Sequence, residues 1–347
     1  MHYLCRPMTK SDTRQLKGLA ILMMLWLHLF SDLKTVWTLD YWLGFMNGLP
    51  LVYSLTRLAS ACVPIYIFLG GYGLAATFLT ADGHRLQAGR RALMLMVNFW
   101  LVFVIFIPIG CWVNPLRYPG DGWTLLLNAV AVRQSYNGAW WFLLPYVLLT
   151  LTSPYVIRRI MEGSRRTNTL WMSALAVIHV AVYLVQAFTN VTDAWPLPGV
   201  SVLLNTLSML FLFGMGVMAV KYDWMDRLRQ RLSGSPQGAL VLVLVVLCLV
   251  KMALGGSSLL NVPFILLLIP LLMAVRWPQW VHGALAFLGR HSTNMWLIHF
   301  FFYYIFGMLI YELRYPLLMF LVLTIVSLGC SLLLQPVVER LRKRIRG

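Results

Sequence analysis

The chain contains a histidine and a carboxylate at a spacing that can support acid–base chemistry. His28 and Asp32 are four residues apart, so on a helix they lie on one face. The carboxylate can then fix the tautomer of the imidazole and raise its basicity, as the base and its orienting group do in an acyl-transfer site. The same spacing is also typical of a hydrogen-bonded pair that only stabilises a helix near the outer interface.

Two cations flank this pair along the sequence. Lys17 precedes His28 by eleven positions, or about 16 Å along a helix, which puts His28 at mid-membrane depth or beyond if Lys17 marks the cytoplasmic edge. Arg57 stands near the start of the second apolar segment, where its guanidinium suits a carboxylate, a phosphate or Asp32. The alternative for Arg57 is a side chain that extends to the outer surface.

Two further histidines and a lysine lie inside apolar segments. His299 follows Ser292 by seven positions, about 10 Å along a helix. It can meet His28 across a bundle or form a structural hydrogen bond to a neighbouring helix. His179 and Lys251 are single polar groups on otherwise apolar helices, and we do not expect them in the site.

The elements that must position these residues are membrane helices. Of the 347 residues, 60% are hydrophobic and 11% are charged, whereas soluble domains have about 25% charged residues. The mean hydropathy is +0.76. Apolar runs long enough to cross about 30 Å of hydrocarbon recur along the whole chain, so we predict an all-α, polytopic membrane helix bundle that forms a single domain over residues 1–347. The expected spans are about ten, near 15–33, 56–79, 92–112, 138–157, 169–189, 200–220, 239–255, 259–275, 292–312 and 316–338.

The distribution of positive charge predicts the orientation of the bundle. The net charge is +17, and most of the 28 Lys and Arg residues lie in 1–17, 80–91, 158–167, 221–238, 276–291 and 339–347. By the positive-inside rule these segments and both termini are cytoplasmic. Membrane topology thus explains the charge, and we expect no nucleic-acid partner. The five cysteines form no CxxC pair, and we expect no metal site.

Four short motifs follow one another along the chain. They are Leu16-Lys17-Gly18 with His28; Arg57 with Val63-Pro64 and Gly70-Gly71-Tyr72; Ala139-Trp140-Trp141; and Gly289 with Ser292, Trp296 and His299. In order and spacing they resemble the acyltransferase-3 family of membrane acyltransferases, which includes bacterial enzymes that O-acetylate surface glycans. Lys17 replaces an arginine of the family pattern, which keeps the charge but loses bidentate anion binding, and Gly70 replaces a serine.

The resemblance implies an activity and roles for the ionisable residues. An acyl group, commonly acetyl from cytoplasmic acetyl-CoA, would pass through a bundle in the cell inner membrane to a hydroxyl of a surface polysaccharide or lipid-linked sugar. His28, held by Asp32, would be the general base or would carry the acyl group transiently. Lys17 and Arg57 would position the donor or stabilise the oxyanion.

The resemblance also points to residues that bind the substrates. Arg85, Arg90 and Arg91 are expected to bind the phosphates of the acyl-CoA on the cytoplasmic side. Trp140, Trp141, Ser292 and His299 are expected near the acceptor, since aromatic faces can stack on a sugar ring. For the two tryptophans, an interfacial anchor is the alternative.

Two other functions remain open at this point. A transporter or flippase for a lipid-linked glycan also needs buried charge and interrupted helices. A membrane partner without chemistry of its own is the third possibility, because Lys17 and Gly70 both depart from the family pattern. The sequence does not determine the oligomeric state or the acceptor sugar.

Overall fold

The fold is a bundle of long helices, as the sequence predicts. The computed structural model describes residues 8–80, 87–189, 198–304 and 310–346. The long helices of this described part are α1 (Lys10–Phe30), α4 (Cys62–Thr80), α5 (Ala88–Val113), α7 (Leu143–Glu162), α8 (Arg165–Thr189), α9 (Pro198–Lys221), α11 (Gln237–Leu254), α12 (Ser258–Ala274), α13 (Gln279–Tyr304) and α14 (Pro316–Arg346). Shorter helices are α2 (Leu33–Trp37), α3 (Leu51–Ala59), α6 (Gly122–Ala129), the 3-10 helix Gly138–Phe142 and α10 (Trp224–Ser233).

A short hairpin is the exception to the helical architecture. Strand β1 (Phe45–Met46) pairs antiparallel with β2 (Leu49–Pro50). Asn47 and Gly48 between them have φ angles of 52° and 75°, as expected for an Asn-Gly sequence in a tight hairpin turn.

Each of the ten predicted spans overlaps one long helix, which confirms the all-α class. Among the described residues, seven segments are long and apolar enough to cross a membrane, with α3 and α4 counted together, and α12 is a shorter apolar helix. The two remaining helices, α1 and α13, contain more polar residues and contact each other extensively. Polar side chains are tolerated there because they face the interior of the bundle. The number of ten spans therefore stays a prediction.

The ninth predicted span, 292–312, begins too late. Helix α13 starts at Gln279, directly after Pro278, and continues through Arg290 and His291. The polar residues Arg290 and His291 before the predicted start suggested a loop, but His291 and Ser292 are only 6% and 1% exposed. Their burial against neighbouring helices allows the helix to continue.

The second predicted span is interrupted near its N-terminal end. Helix α3 ends at Ala59 and α4 begins at Cys62. The ring of Pro64 would clash with the carbonyl of residue 60 in a continuous helix, so the break falls four residues before the proline. The side-chain amide of Asn261 on α12 donates to the Ser60 carbonyl at 3.3 Å, and the Ser60 hydroxyl donates to Asn261 Oδ1 at 3.2 Å. These bonds satisfy the backbone at the break, as irregular backbone at membrane depth requires.

Two glycines bring α1 and α13 into backbone contact. A Cβ atom at Gly18 would overlap the Leu285 carbonyl, and one at Gly289 would overlap the Arg14 carbonyl. Small residues at such positions allow membrane helices to approach closely. Ten residues after each glycine stands a histidine, His28 on α1 and His299 on α13, and these two rings also contact each other. The helices therefore run in parallel from the glycine contact to the histidine contact.

Segments predicted to share one side of the membrane do meet in the structure. Side chains from 1–17, 221–238 and 276–291 line one cavity of about 700 Å³. On the opposite side, Arg314 forms an ion pair with Asp40 at 2.9 Å, which joins two predicted outer loops. The common side of these segments is consistent with the predicted topology, and its assignment to the cytoplasm stays a prediction.

Candidate functional site

The centre of the candidate site is a pair of imidazoles. The ring centroids of His28 and His299 lie 5.1 Å apart with an angle of 45° between the planes. Phe300 packs edge-on against His28, also at 5.1 Å. His28 is half-buried and lines a cavity, whereas His299 is fully buried. The predicted meeting of the two histidines across the bundle is thus present in the structure.

The hydrogen bonds of His299 determine its tautomer. Its Nδ1 lies 2.8 Å from the Trp296 carbonyl oxygen and 3.2 Å from that of Met295. Carbonyl oxygens only accept, so in the neutral ring the proton is on Nδ1 and the lone pair is on Nε2. That Nε2 is buried and has no hydrogen-bond partner among the described residues. The site therefore contains an unused acceptor next to His28.

The expected role of Asp32 as the group that orients His28 is wrong. Helix α1 ends at Phe30, and Asp32 is the N-cap of α2, where its carboxylate accepts from the amides of Lys34 and Thr35 and from the Thr35 hydroxyl at 2.6 Å. These bonds, chiefly those from Thr35, hold the pKa of the Asp32 carboxyl below its usual range. The four-residue rule fails because the helix stops before Asp32, a preferred cap residue.

Arg57 lies at the predicted outer end of the bundle, and no hydrogen bond or ion pair joins it to Asp32 in the described part of the chain. Its Nη1 donates to the Met252 carbonyl at 3.2 Å, near the end of α11. Lys251, which is 3% exposed, donates to the Gly255 carbonyl at 2.8 Å. Both cations thus donate to carbonyl oxygens near the C-terminus of α11, and their positive charge stabilises the negative end of its helix dipole. This geometry supports a structural role for Arg57 rather than contact with an oxyanion.

Lys17 and Ser292 line a separate small pocket about 110 Å³ in volume, together with Tyr66, Tyr146 and Trp296. The Tyr66 hydroxyl donates to the Lys17 carbonyl at 3.1 Å, and the Ser292 hydroxyl donates to the Gly289 carbonyl at 3.0 Å. Lys17 is close enough to Arg91 of α5 for their charges to interact. Lys17 itself lies about 16 Å from His28 along α1, so it does not touch the imidazole.

The two predicted tryptophans have different positions. Trp140 is fully buried, and its Nε1 donates to the Leu297 carbonyl at 3.0 Å. Phe99 and Phe301 pack on its ring, so it offers no face to a sugar and the prediction of a stacking role is wrong for it. Trp141 is half-buried and lines the same cavity as His28. Only Trp141 of this pair can contact a ligand there.

Arginines line a pocket at the opposite end of the bundle. Arg90 and Arg91 at the start of α5 share a cavity of about 360 Å³ with Arg342 of α14. Arg90 donates to the side chain of Gln87 at 3.3 Å. In the described residues none of the three arginines has a carboxylate within ion-pair distance. Arg85, which was predicted with them, lies outside the described residues.

The cavity next to His28 has a volume of about 300 Å³. Its polar side chains come from four helices and from the break between α3 and α4, and they include His28, Ser60, His179, Gln186, Asn205, Ser208 and Asn261. Ser60 and Asn261 are the residues that bond across the break between α3 and α4. The cavity thus lies where the interrupted helix opens the bundle, with His28 in its wall.

Comparison with known proteins identifies the type of domain. A family model, acyltransferase-3, described as an acyltransferase domain, matches residues 14–335. The chain belongs to the acyltransferase-3 family. No match was found among curated proteins or among solved structures. The family and the apolar helices together make the chain a multi-pass membrane acyltransferase.

One departure from the acyltransferase-3 pattern has a steric explanation. A Cβ at Gly70 would lie 2.9 Å from the Tyr146 hydroxyl oxygen and 3.2 Å from its ring. A serine there would have to displace Tyr146, which lines the small pocket with Lys17. The glycine at position 70 therefore leaves the space that the side chain of Tyr146 on α7 occupies.

Two residues of the candidate site were not predicted from the sequence. His179 was set aside as a single polar residue, although Gln186 seven positions later lies on the same face of α8, and both line the cavity of His28. Arg342 had no signal of its own, because it is one of several cations in the basic C-terminal segment.

Proposed function

We propose that this acyltransferase moves an acyl group, acetyl in the first instance, from cytoplasmic acyl-CoA to a sugar hydroxyl on the outer side of the cell inner membrane. The observation that carries the proposal is the position of His28. It lies in the wall of a cavity, and its ring contacts that of His299, whose Nε2 has no hydrogen-bond partner among the described residues. A base in this position can take a proton from a hydroxyl in the cavity.

The arginine pocket supports a CoA donor. Three guanidinium groups without described carboxylate partners form a strongly positive surface at the predicted cytoplasmic end. Guanidinium forks match the geometry of phosphate oxygens and bind them through charge-assisted hydrogen bonds. We assign Arg90, Arg91 and Arg342 to the phosphates of acyl-CoA.

The pocket of Lys17 supports a path from that end towards His28. Leu95 of α5 lines it one turn beyond Arg91, and Ser292 of α13 lies seven residues before His299. We assign this pocket to the uncharged arm of the CoA, with Lys17 near its entrance. The acyl thioester would then extend along the side of α1 that faces α4, which lines both this pocket and the cavity of His28, towards the two histidines.

The chemistry is direct acyl transfer. His28 accepts the proton of the sugar hydroxyl, and the oxygen attacks the thioester carbonyl carbon. When the carbon–sulfur bond breaks, the imidazolium returns the proton to the CoA thiolate, so that atoms and charge balance. A lone pair on His299 Nε2 can hold the second nitrogen of His28 as a hydrogen-bond donor. In the alternative route, a neutral nitrogen of His28 attacks the thioester carbonyl carbon, the carbon–sulfur bond breaks, and CoA leaves as the thiol with the proton of the acylated imidazolium. The sugar hydroxyl then attacks the acyl-imidazole, the carbon–nitrogen bond breaks, and the hydroxyl proton returns to the imidazole.

The test is a transfer assay with purified protein in proteoliposomes. Acetyl-CoA with a labelled acetyl group is supplied with a panel of glycosides, and both free CoA and labelled glycoside are measured. We expect both products to form in equal amounts. A flippase or a non-catalytic partner would release no CoA and label no sugar, and either result would overturn the proposal.

A further inference from the structure

The cavity beside His28 has walls of a distinct chemical character. Its lining contains amides, hydroxyls and imidazoles but no Asp, Glu, Lys or Arg among the described residues. Arg57 and Lys251 are bonded to carbonyls at the end of α11 and are not part of the lining, and Lys251 also donates to the hydroxyl of the lining residue Ser60 at 3.5 Å. The pocket at the other end of the bundle, by contrast, is lined by three arginines.

Four polar side chains form a strip along one wall of this cavity. His179 and Gln186 are seven residues apart on α8, and Asn205 and Ser208 are three apart on α9, so each pair shares a helix face. Across the helices, Gln186 Nε2 donates to Asn205 Oδ1 at 2.9 Å, and His179 Nδ1 lies 2.8 Å from the Ser208 hydroxyl. We call these four residues the polar strip.

The polar strip has bonding capacity that its own contacts do not use. His179 Nε2 is buried and has no partner among the described residues. The two bonds above also leave the Gln186 carbonyl oxygen and the Asn205 amide nitrogen without a described hydrogen bond. Polar pairs that only join two membrane helices satisfy each other between the helices. Here all four residues also line the cavity, so their remaining groups are placed for a ligand.

An uncharged, hydroxyl-rich ligand fits this wall. Amides and imidazoles both donate to and accept from hydroxyl groups. A phosphate or carboxylate bound along the polar strip would lose its water without a counter-charge in the strip, which is unfavourable. Trp141 on the cavity wall adds an aromatic face on which a sugar ring can stack. Val63 and Leu212 add apolar surface. The volume is at the lower end of the roughly 300–1,000 Å³ of ligand pockets, which suits one ring rather than a chain.

We propose that the polar strip is the binding site for the acceptor, and that the acceptor is an uncharged sugar ring whose hydroxyl points to His28. This inference rests on the proposed function for the transfer step, but sugar binding is a separate property. The same cavity excludes acidic sugars and sugar phosphates. Acceptor selection thus depends on α8 and α9, and activation of the hydroxyl depends on α1.

Binding is tested directly, without the reaction. Neutral methyl hexosides, methyl glucuronide and glucose 1-phosphate are each added to the full-length protein in detergent, and the shift in thermal stability is measured. We expect at least one neutral glycoside to stabilise the protein and neither anionic sugar to do so. Stabilisation by the anionic sugars, or by none of the neutral ones, would overturn the proposal.

Three variants locate the site. Asn205→Asp keeps the oxygen that accepts from Gln186 but removes a donor and adds a charge, and Gln186→Leu removes the amide. Both should raise the concentration of glycoside needed for half-maximal stabilisation by about tenfold or more, as the loss of a hydrogen bond to a buried ligand predicts. Gln335→Leu on α14 is the matched control and should behave as wild type. Equal behaviour of Gln186→Leu and Gln335→Leu would show that the strip does not bind the sugar.

The two proposals can fail separately. If acetyl-CoA is not consumed but neutral glycosides still bind through the polar strip, the acyl-transfer function is wrong and the sugar site is retained. If acetyl-CoA is consumed while the strip variants retain wild-type acceptor KM and glycoside binding, the acceptor site is wrong and the reaction is retained.

Discussion

His28 and His299 occupy equivalent positions on two parallel helices, each ten residues beyond a glycine at which the helices touch. The glycine contacts fix the spacing of α1 and α13, and the histidine rings meet at 5.1 Å. His299 is anchored through Nδ1 to two carbonyls of its own helix, so its Nε2 lone pair has a fixed direction. We regard His299 as a positioning residue for His28, in the role that the sequence had suggested for Asp32.

Replacement of His299 should therefore reduce catalysis more than binding. His299→Phe keeps a ring of similar size but lacks Nε2, and we expect kcat to fall by about tenfold to a hundredfold with little change in the KM for acetyl-CoA. The pH dependence of kcat should also change, because the His299 Nε2 lone pair, which lies next to the His28 ring, is absent from the variant. His291→Phe, on the same helix but bonded to Ser331, is the control. Equal kcat values for the two variants would contradict the positioning role.

Loss of the Asp32 carboxylate should leave the chemistry intact. Asp32→Ala removes the cap of α2, so we expect a lower melting temperature and a kcat within about twofold of wild type. Because the pKa of Asp32 is lowered in the folded protein, its stabilisation is present above its unfolded pKa and is lost as the pH falls through its folded pKa. The melting temperatures of the variant and wild type should therefore converge in strong acid. A large loss of kcat would restore Asp32 to the site.

The arginine pocket should control the affinity for the donor. Arg90→Ala, Arg91→Ala and Arg342→Ala should each raise the KM for acetyl-CoA about five- to tenfold, since these charges are partly exposed and screened. The effect should weaken as salt is added. Arg340 lies two residues from Arg342 and outside the pocket. Its replacement in Arg340→Ala should change neither the KM for acetyl-CoA nor the dependence of that KM on salt. An unchanged KM in all three pocket variants would place the donor elsewhere.

Backbone contact between α1 and α13 should be sensitive to a single methyl group. In Gly289→Ala the new Cβ must displace the Arg14 carbonyl, and we expect a loss of about 1–3 kcal/mol in stability together with reduced kcat, because the two histidines move apart. Gly283→Ala on the same helix meets no atom within 4 Å and is the matched control. If both alanine variants unfold at the same temperature as wild type, the contact does not position the site.

Hydropathy and charge were sufficient to predict the helices, because lipid imposes a length and a composition on each span. Hydropathy was less informative for α1 and α13, where polar residues are buried against neighbouring helices rather than exposed to lipid. The start of α13 at Gln279 could not be predicted for this reason.

The candidate site was predicted in part. The meeting of His28 with His299 followed from their depths along two helices. The roles of Asp32 and Trp140 depended on local events, a helix end at Phe30 and the packing of Phe99 and Phe301, that spacing alone does not reveal. His179 was discarded because its partners Asn205 and Ser208 lie on another helix, and a sequence does not state which helices are neighbours.

The most direct test of the account is single-turnover acetyl transfer by wild type and His28→Ala in proteoliposomes, with the thermal shift on acetyl-CoA as a check that the variant is folded and binds the donor. We predict that transfer falls by at least about a hundredfold, that the thermal shift is retained, and that added imidazole restores part of the rate. Transfer at the wild-type rate by the folded variant would contradict the central role of His28.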